Sequence, residues 1–151
     1  MTLNISQQHG NDDIIARVKN LQTSAEKKWG SMNVVEMLVH CNNANKIVLN
    51  SPASSRGDSL KQNLFKMIFL HLKFSFPKNI KAPKPLAKMV DGISIEDFEQ
   101  HKTEYVEIMK KFLNFEFPKK MYHPAFGNLN PKEWGVATWM HMDHHLRQFS
   151  A

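Results

Sequence analysis

Three segments of this chain open with the same helix-start grammar, and that repetition constrains the fold more than any other feature. Asn33, Ser94 and Asn130 can each accept a hydrogen bond from an unpaired N–H of a helix's first turn. Each has an acid three residues on: Glu36, Asp97 and Glu133. Hydrophobic residues bracket every start, pairing Met32 with Met37, Ile93 with Phe98 and Leu129 with Trp134 as expected staples. Pro131, at the first helical position, reinforces the last case. Downstream, apolar residues recur at helical spacing. One stripe is Met37, Leu38, Cys41, Ala44 and Val48; another is Phe98, Tyr105, Ile108, Met109 and Phe112; Trp134, Ala137 and Thr138 open a third. A weaker pattern, Ile14, Ile15, Val18 and Leu21, follows Asn11, Asp12 and Asp13. The spacing predicts helices over 12–22, 33–49, 94–114 and 131–149. No stretch alternates with period two, so the expected fold class is all-α, and four such helices most simply close into a four-helix bundle.

The connection over 50–93 is too long for a bare loop, and Leu60 to Phe74 is expected to supply an extra helix between the second and third. That helix is apolar almost all round, with Lys66 and Lys73 on one side, so it is expected to pack on the bundle or on a partner. The run PKNIKAPKPLAK (77–88) holds three prolines and four lysines and reads as an extended crossover.

A chain of 151 residues is the length of one domain, so 1–151 is read as a single unit. Its 42% hydrophobic and 23% charged residues argue against a disordered or membrane-embedded protein. Cys41 is the one cysteine, which excludes an internal disulfide and a zinc site built on paired thiolates. No basic segment followed by an apolar core opens the sequence, so no secretory signal is expected, and a cytoplasmic location is. The greasy stretch Leu64 to Phe76 is interrupted by Lys66, His71 and Lys73 and is too short to cross a bilayer, so no stable membrane insertion is expected.

The net charge of +6 is concentrated. Between Arg56 and Lys88 eight basic residues face one acid, Asp58, giving +7 and leaving the remainder at minus one. A basic character confined to one segment, with no groove-reading motif, argues against nucleic acid as a partner. It leaves a noncatalytic module that docks a protein or an anionic membrane surface through 56–88 as an alternative function.

The chemistry-bearing signal lies elsewhere. Of eight histidines, three fall in MHMDHHLRQF (140–149). At about 100° per residue, with His141 at zero, His145 lies at about +40°, His144 at about −60° and Gln148 at about −20°. Trp134, Ala137 and Thr138 share that direction, so a face that begins apolar and core-directed turns to imidazole. Buried imidazoles without partners cost free energy, and one metal ion satisfies several at once. His141 and His145, four residues apart, have the spacing that lets two rings converge on one ion. A third ligand must come from another helix. His40, beside the Met37, Cys41 and Ala44 stripe, is the best placed, and His101 is a rival. His144 can replace His145 or stand behind the ligands, and Gln148 can orient a ligand or contact a substrate. Glu36 can hold the other ring nitrogen of His40 or serve only as a cap. Cys41 reads as a small buried residue, and His9, His71 and His123 carry no assignment.

WGSMNVVEMLVHC (29–41) and HPAFGNLNPKEWGVATWMHMDHHLRQF (123–149) resemble the two signature regions of the DinB superfamily, specifically a branch of small uncharacterised bacterial proteins. The resemblance spans most of the chain apart from 50–93. It implies a four-helix bundle of up-down-down-up topology, a homodimer, and a divalent metal held by His40, His141 and His145. Family members include S-transferases and an isomerase that depend on low-molecular-weight thiols such as bacillithiol and mycothiol, and others described as metal-dependent hydrolases. Imidazole ligands suit zinc, nickel or another borderline divalent ion as the cofactor, and the resemblance implies a low-molecular-weight thiol as cosubstrate and a small-molecule substrate. It assigns no catalytic side chain, and His144 and Gln148 are the candidates nearest the ligands.

Overall fold

The computed structural model of the protein describes residues 3–80, 90 and 92–151. Among them are five α-helices: α1 (Gln8–Asn20), α2 (Val34–Asn50), α3 (Leu60–Lys66), α4 (Phe98–Phe112) and α5 (Pro131–Gln148). A small antiparallel sheet joins β1 (Met121–His123) to β2 (Gly127–Leu129), with Met121 opposite Leu129. The chain is mostly helical rather than all-α. Three-residue strands are too short to display an alternating pattern, which is why the sequence gives no sign of them.

Two of the expected helix starts form reciprocal capping boxes. The Asn33 side chain accepts from Glu36 N while the Glu36 carboxylate accepts from Asn33 N, and Asn130 and Glu133 repeat the arrangement. The third differs. Ser94 accepts from Glu96 N, a 3-10 turn occupies Ile95–Asp97, and the α-helix begins only at Phe98. The shorter Asp97 closes no box there. A box at Ser59 and Gln62, absent from the sequence reading, starts α3. That segment is not one helix to Phe74: α3 passes into a wider π turn over Met67–His71 and ends, with Lys73 at positive φ. The expected crossover over 77–88 lies largely outside the described residues.

α1 starts four residues ahead of its expected position, at Gln8, without a side-chain cap. Asn11, which reads as a helix start, is instead fully buried inside it and donates to Ile5 O (2.9 Å) and Met109 O (2.7 Å). The preceding turn approaches α5 so closely that Ile5 N donates to Gly135 O (3.1 Å), and a Cβ on Gly135 would collide with Asn4.

α1 and α2 both pack on α4 and α5. Their shared core holds Ile14, Val18, Val35, Met37, Leu38, Cys41, Tyr105, Met109, Phe112, Met142 and Leu146, all essentially inaccessible. Burying each large apolar side chain stabilises the fold by about 1.5–3 kcal/mol before chain entropy is counted. The β1–β2 hairpin is fastened to this body by Trp134, whose indole N–H donates to Met121 O (2.9 Å). It also holds the 56–58 stretch, where Asn128 N donates to the Asp58 carboxylate (2.8 Å). α3 lies on the hairpin, with Lys66 Nζ donating to Asn128 O (2.9 Å). Phe65 packs against the core, while Leu60 and Leu64 on α3 and Met67 in the π turn are exposed. Among the described residues no helix is long and apolar enough to cross a membrane.

Candidate metal centre

The contact between α2 and α5 sets His40 against His141 and His145, which stand one helical turn apart. His141 Nε2 lies 3.4 Å from His40 Nε2 and 3.1 Å from His145 Nε2. One coordinating nitrogen from each of the three falls within 4.8 Å of the others. The rings meet edge to face, with centroids 4.7 to 5.4 Å apart. His40 and His145 are buried, and His141 is partly so.

Gln148 fixes the proton on one of these rings. Its amide nitrogen donates to the carbonyl oxygen of Trp29 (2.6 Å), an atom that can only accept. The amide oxygen therefore faces His145 Nδ1 (3.1 Å), which must carry the hydrogen, and this leaves a lone pair on His145 Nε2. The arrangement is the outer support that holds a metal-ligating imidazole in orientation. Gly30 makes room for it. With φ at +80° and no Cβ, it lets the Gln148 amide press against the turn where a side chain would collide.

Burial first, and then the other imidazoles, disfavours charge on these rings. Burial holds His141 well below the usual imidazole range, with further lowering from His145, His40 and His144. His145 is pushed down to about 3, and burial lowers His40 as well. Neutral rings at pH 7 offer lone pairs to a cation. Polar groups are also left over: His40 Nδ1 and the hydroxyl of Thr138, one turn before His141, are buried without hydrogen-bond partners among the described residues. One N–H between three facing nitrogens cannot satisfy them all, whereas a cation accepting three lone pairs can. The donor set fits a metal ion.

The sequence-derived candidates divide around this cluster. His144 is outside the triad, its ring 5.2 Å from that of His145 and 5.7 Å from the indole of Trp29. Burial lowers its pKa, helped by Arg147 and Lys78 and opposed by Asp143. His101 is not in the cluster; its Nδ1 lies 3.6 Å from Glu104 on α4. Glu36 serves the cap and does not touch His40, whose Nδ1 has no partner. Cys41 points into the core beside Met37 Sδ (3.8 Å), and burial pushes its thiol up and out of the reactive range. His71 pairs with Glu133 (3.3 Å).

Two neighbours carry no assignment in the sequence reading. His123, at the end of β1, stacks on Phe126 and tilts against Trp134, and burial lowers it to about 4. Its charge would be felt at His141. Trp29 contributes a backbone carbonyl, which no residue pattern reveals. Its indole flanks His144, with Phe76 also against that ring (6.2 Å).

Fold and site together define a mostly helical protein in which three histidines from two helices could hold a metal ion. The chain belongs to the DUF1569 family, described as a protein of unknown function, which it matches over residues 3–151. No curated protein and no solved structure matches it.

Proposed function

We propose that this chain is a DinB-like four-helix-bundle domain in which His40, His141 and His145 hold a divalent metal, zinc or nickel, for thiol S-transfer. The observation that carries the reading is the convergence of three Nε2 atoms, one of them locked as a lone pair by Gln148. Three ligands leave coordination positions open, the layout of a catalytic rather than a structural site. A bound divalent ion supplies Lewis acidity, lowering the pKa of a thiol or water presented to it. The chain's own part is to hold the imidazoles neutral by burial, to orient His145 through Gln148, and to line the approach with His144 and Trp29. The preferred substrate pair is a low-molecular-weight thiol and a small electrophile; hydrolysis is the variant in which water takes the thiol's place. In this reading the protein is a cytoplasmic homodimer. Elemental analysis of purified protein tests the centre: about one metal per chain is expected, and His40→Ala and His141→Ala should each remove most of it. Full occupancy in both variants would overturn the assignment.

A second reading is favoured by the exposed apolar residues Leu60, Leu64 and Met67, which share their stretch of chain with Lys61, Lys66 and Lys73. Exposed apolar side chains among lysines suit an anionic membrane surface. Flotation with phosphatidylglycerol vesicles should then be lost in Leu60→Asp/Leu64→Asp; retained flotation would eliminate it.

A further inference from the structure

A cleft of about 370 Å³ opens beside the histidine cluster, lined by Lys28, Trp29, Lys78, Arg147, Ser150 and Ala151. Three of the six are cations. Lys78 Nζ stands 4.6 Å above the Trp29 ring, and Arg147 shares its acid partner: Asp143 accepts from Arg147 (2.9 Å) and also from Arg17 (2.9 Å). Arg17 also holds Asp13 (3.2 Å), so the two guanidiniums are matched by two carboxylates, and the positive charge of the wall comes from Lys28 and Lys78. The Ala151 carbonyl oxygen is engaged by Arg17 (3.0 Å).

The frame that carries these charges is fastened at both sides. Lys28 N donates to Gln148 O (2.8 Å) on the last turn of α5, and Gly30 N donates to the Asn79 side chain (3.0 Å). Arg147 also reaches the Ser75 hydroxyl (3.4 Å). Lys28, Lys78 and Arg147 come from three separate stretches of chain yet face one space. That arrangement holds like charges together against their repulsion, which an anion relieves.

Packed rings separate the cleft from the cluster. From Trp29 the rings of His144 and then His145 follow at 5.7 and 5.2 Å. Gln148, whose side chain orients His145, accepts at its backbone from Lys28. We propose that this cleft binds the carboxylate or phosphate group of a small-molecule ligand. The site stands on the cleft itself, independently of the metal-centre reading.

Calorimetric titration of the metal-free protein at low ionic strength, with citrate in one arm and inorganic phosphate in the other, tests the anchor. One-to-one binding is expected, weakened at least tenfold in Lys78→Gln/Arg147→Gln and unchanged in Lys61→Gln/Lys119→Gln, which removes equal charge elsewhere. The tighter arm identifies the anionic group. Absence of binding in both arms, or equal affinity in the two double variants, overturns the proposal. Metal content of the protein as purified, measured before the metal is stripped, separates the two ideas: loss of the metal reading leaves the citrate and phosphate outcomes intact.

Discussion

Within six residues α2 buries two kinds of polar side chain, and they are treated differently. Asn42 places its amide hydrogens on His101 O and the Glu104 carboxylate, both at 3.0 Å, and Asn45 donates to Met142 Sδ. Asn11 on α1 does the same with Ile5 O and Met109 O. These amides tie helices and loops together, and every donor hydrogen of Asn11 and Asn42 has an acceptor within the chain. His40, a half-turn earlier, has an Nδ1 with no partner and an Nε2 that meets only other imidazoles. The Oδ1 atoms of Asn11 and Asn42 lack partners among the described residues just as His40 Nδ1 does, so the contrast lies in the donors: the two amides give theirs to the fold, while the imidazole Nε2 atoms face one another. The difference separates structural from ligand-binding groups where burial alone does not.

The comparison can be broken at its structural end first. Asn11→Ala should strand the carbonyls of Ile5 and Met109 in the core. The expected loss is about 2–4 kcal/mol of stability by urea unfolding, with metal per folded chain unchanged. A drop in metal content matching that of His40→Ala would erase the distinction. At the other end, Gln148→Leu keeps the bulk but frees the His145 tautomer. Metal affinity should weaken roughly 10–100-fold by competition with a chromophoric chelator, and an unchanged affinity would show that the amide supports only the Trp29 loop. The smallest effect sharpens the contrast between histidines. His123, half-buried against Phe126 and Trp134, is pushed down to about 4 from an ordinary value of 6.5, so the folded state binds fewer protons than the unfolded state between those values. Stability should be complete above about pH 6.5 and fall as pH drops toward 4. His123→Phe, fitting between Phe126 and Trp134, should make that slope shallower in chemical denaturation.

Legibility in the sequence followed the range of the interaction. The boxes at Asn33 and Asn130 need only residues three apart, so they could be read directly, and the common face of His141 and His145 follows from helical rotation alone. His40 was reachable because its stripe pointed inward. The start of α1 was misplaced because Asn11 is a cap by local chemistry and a tertiary donor in the fold, its acceptor on Met109 lying 98 residues away. Ser94 looked equivalent to the other starts, yet Asp97 is one methylene shorter than the Glu of a box. The support from Trp29 was invisible because a backbone carbonyl has no residue type, and His123 was passed over because its hairpin leaves no periodic trace.

Rings that are uncharged before a cation arrives have no hydrogen ion to surrender when it does. A cation would need only the tautomers of His141 and His40 that carry hydrogen on the far nitrogen, so its uptake at neutral pH would release no net proton. The heat of uptake should then be the same in buffers of very different ionisation enthalpy, a property that cysteine-built sites lack.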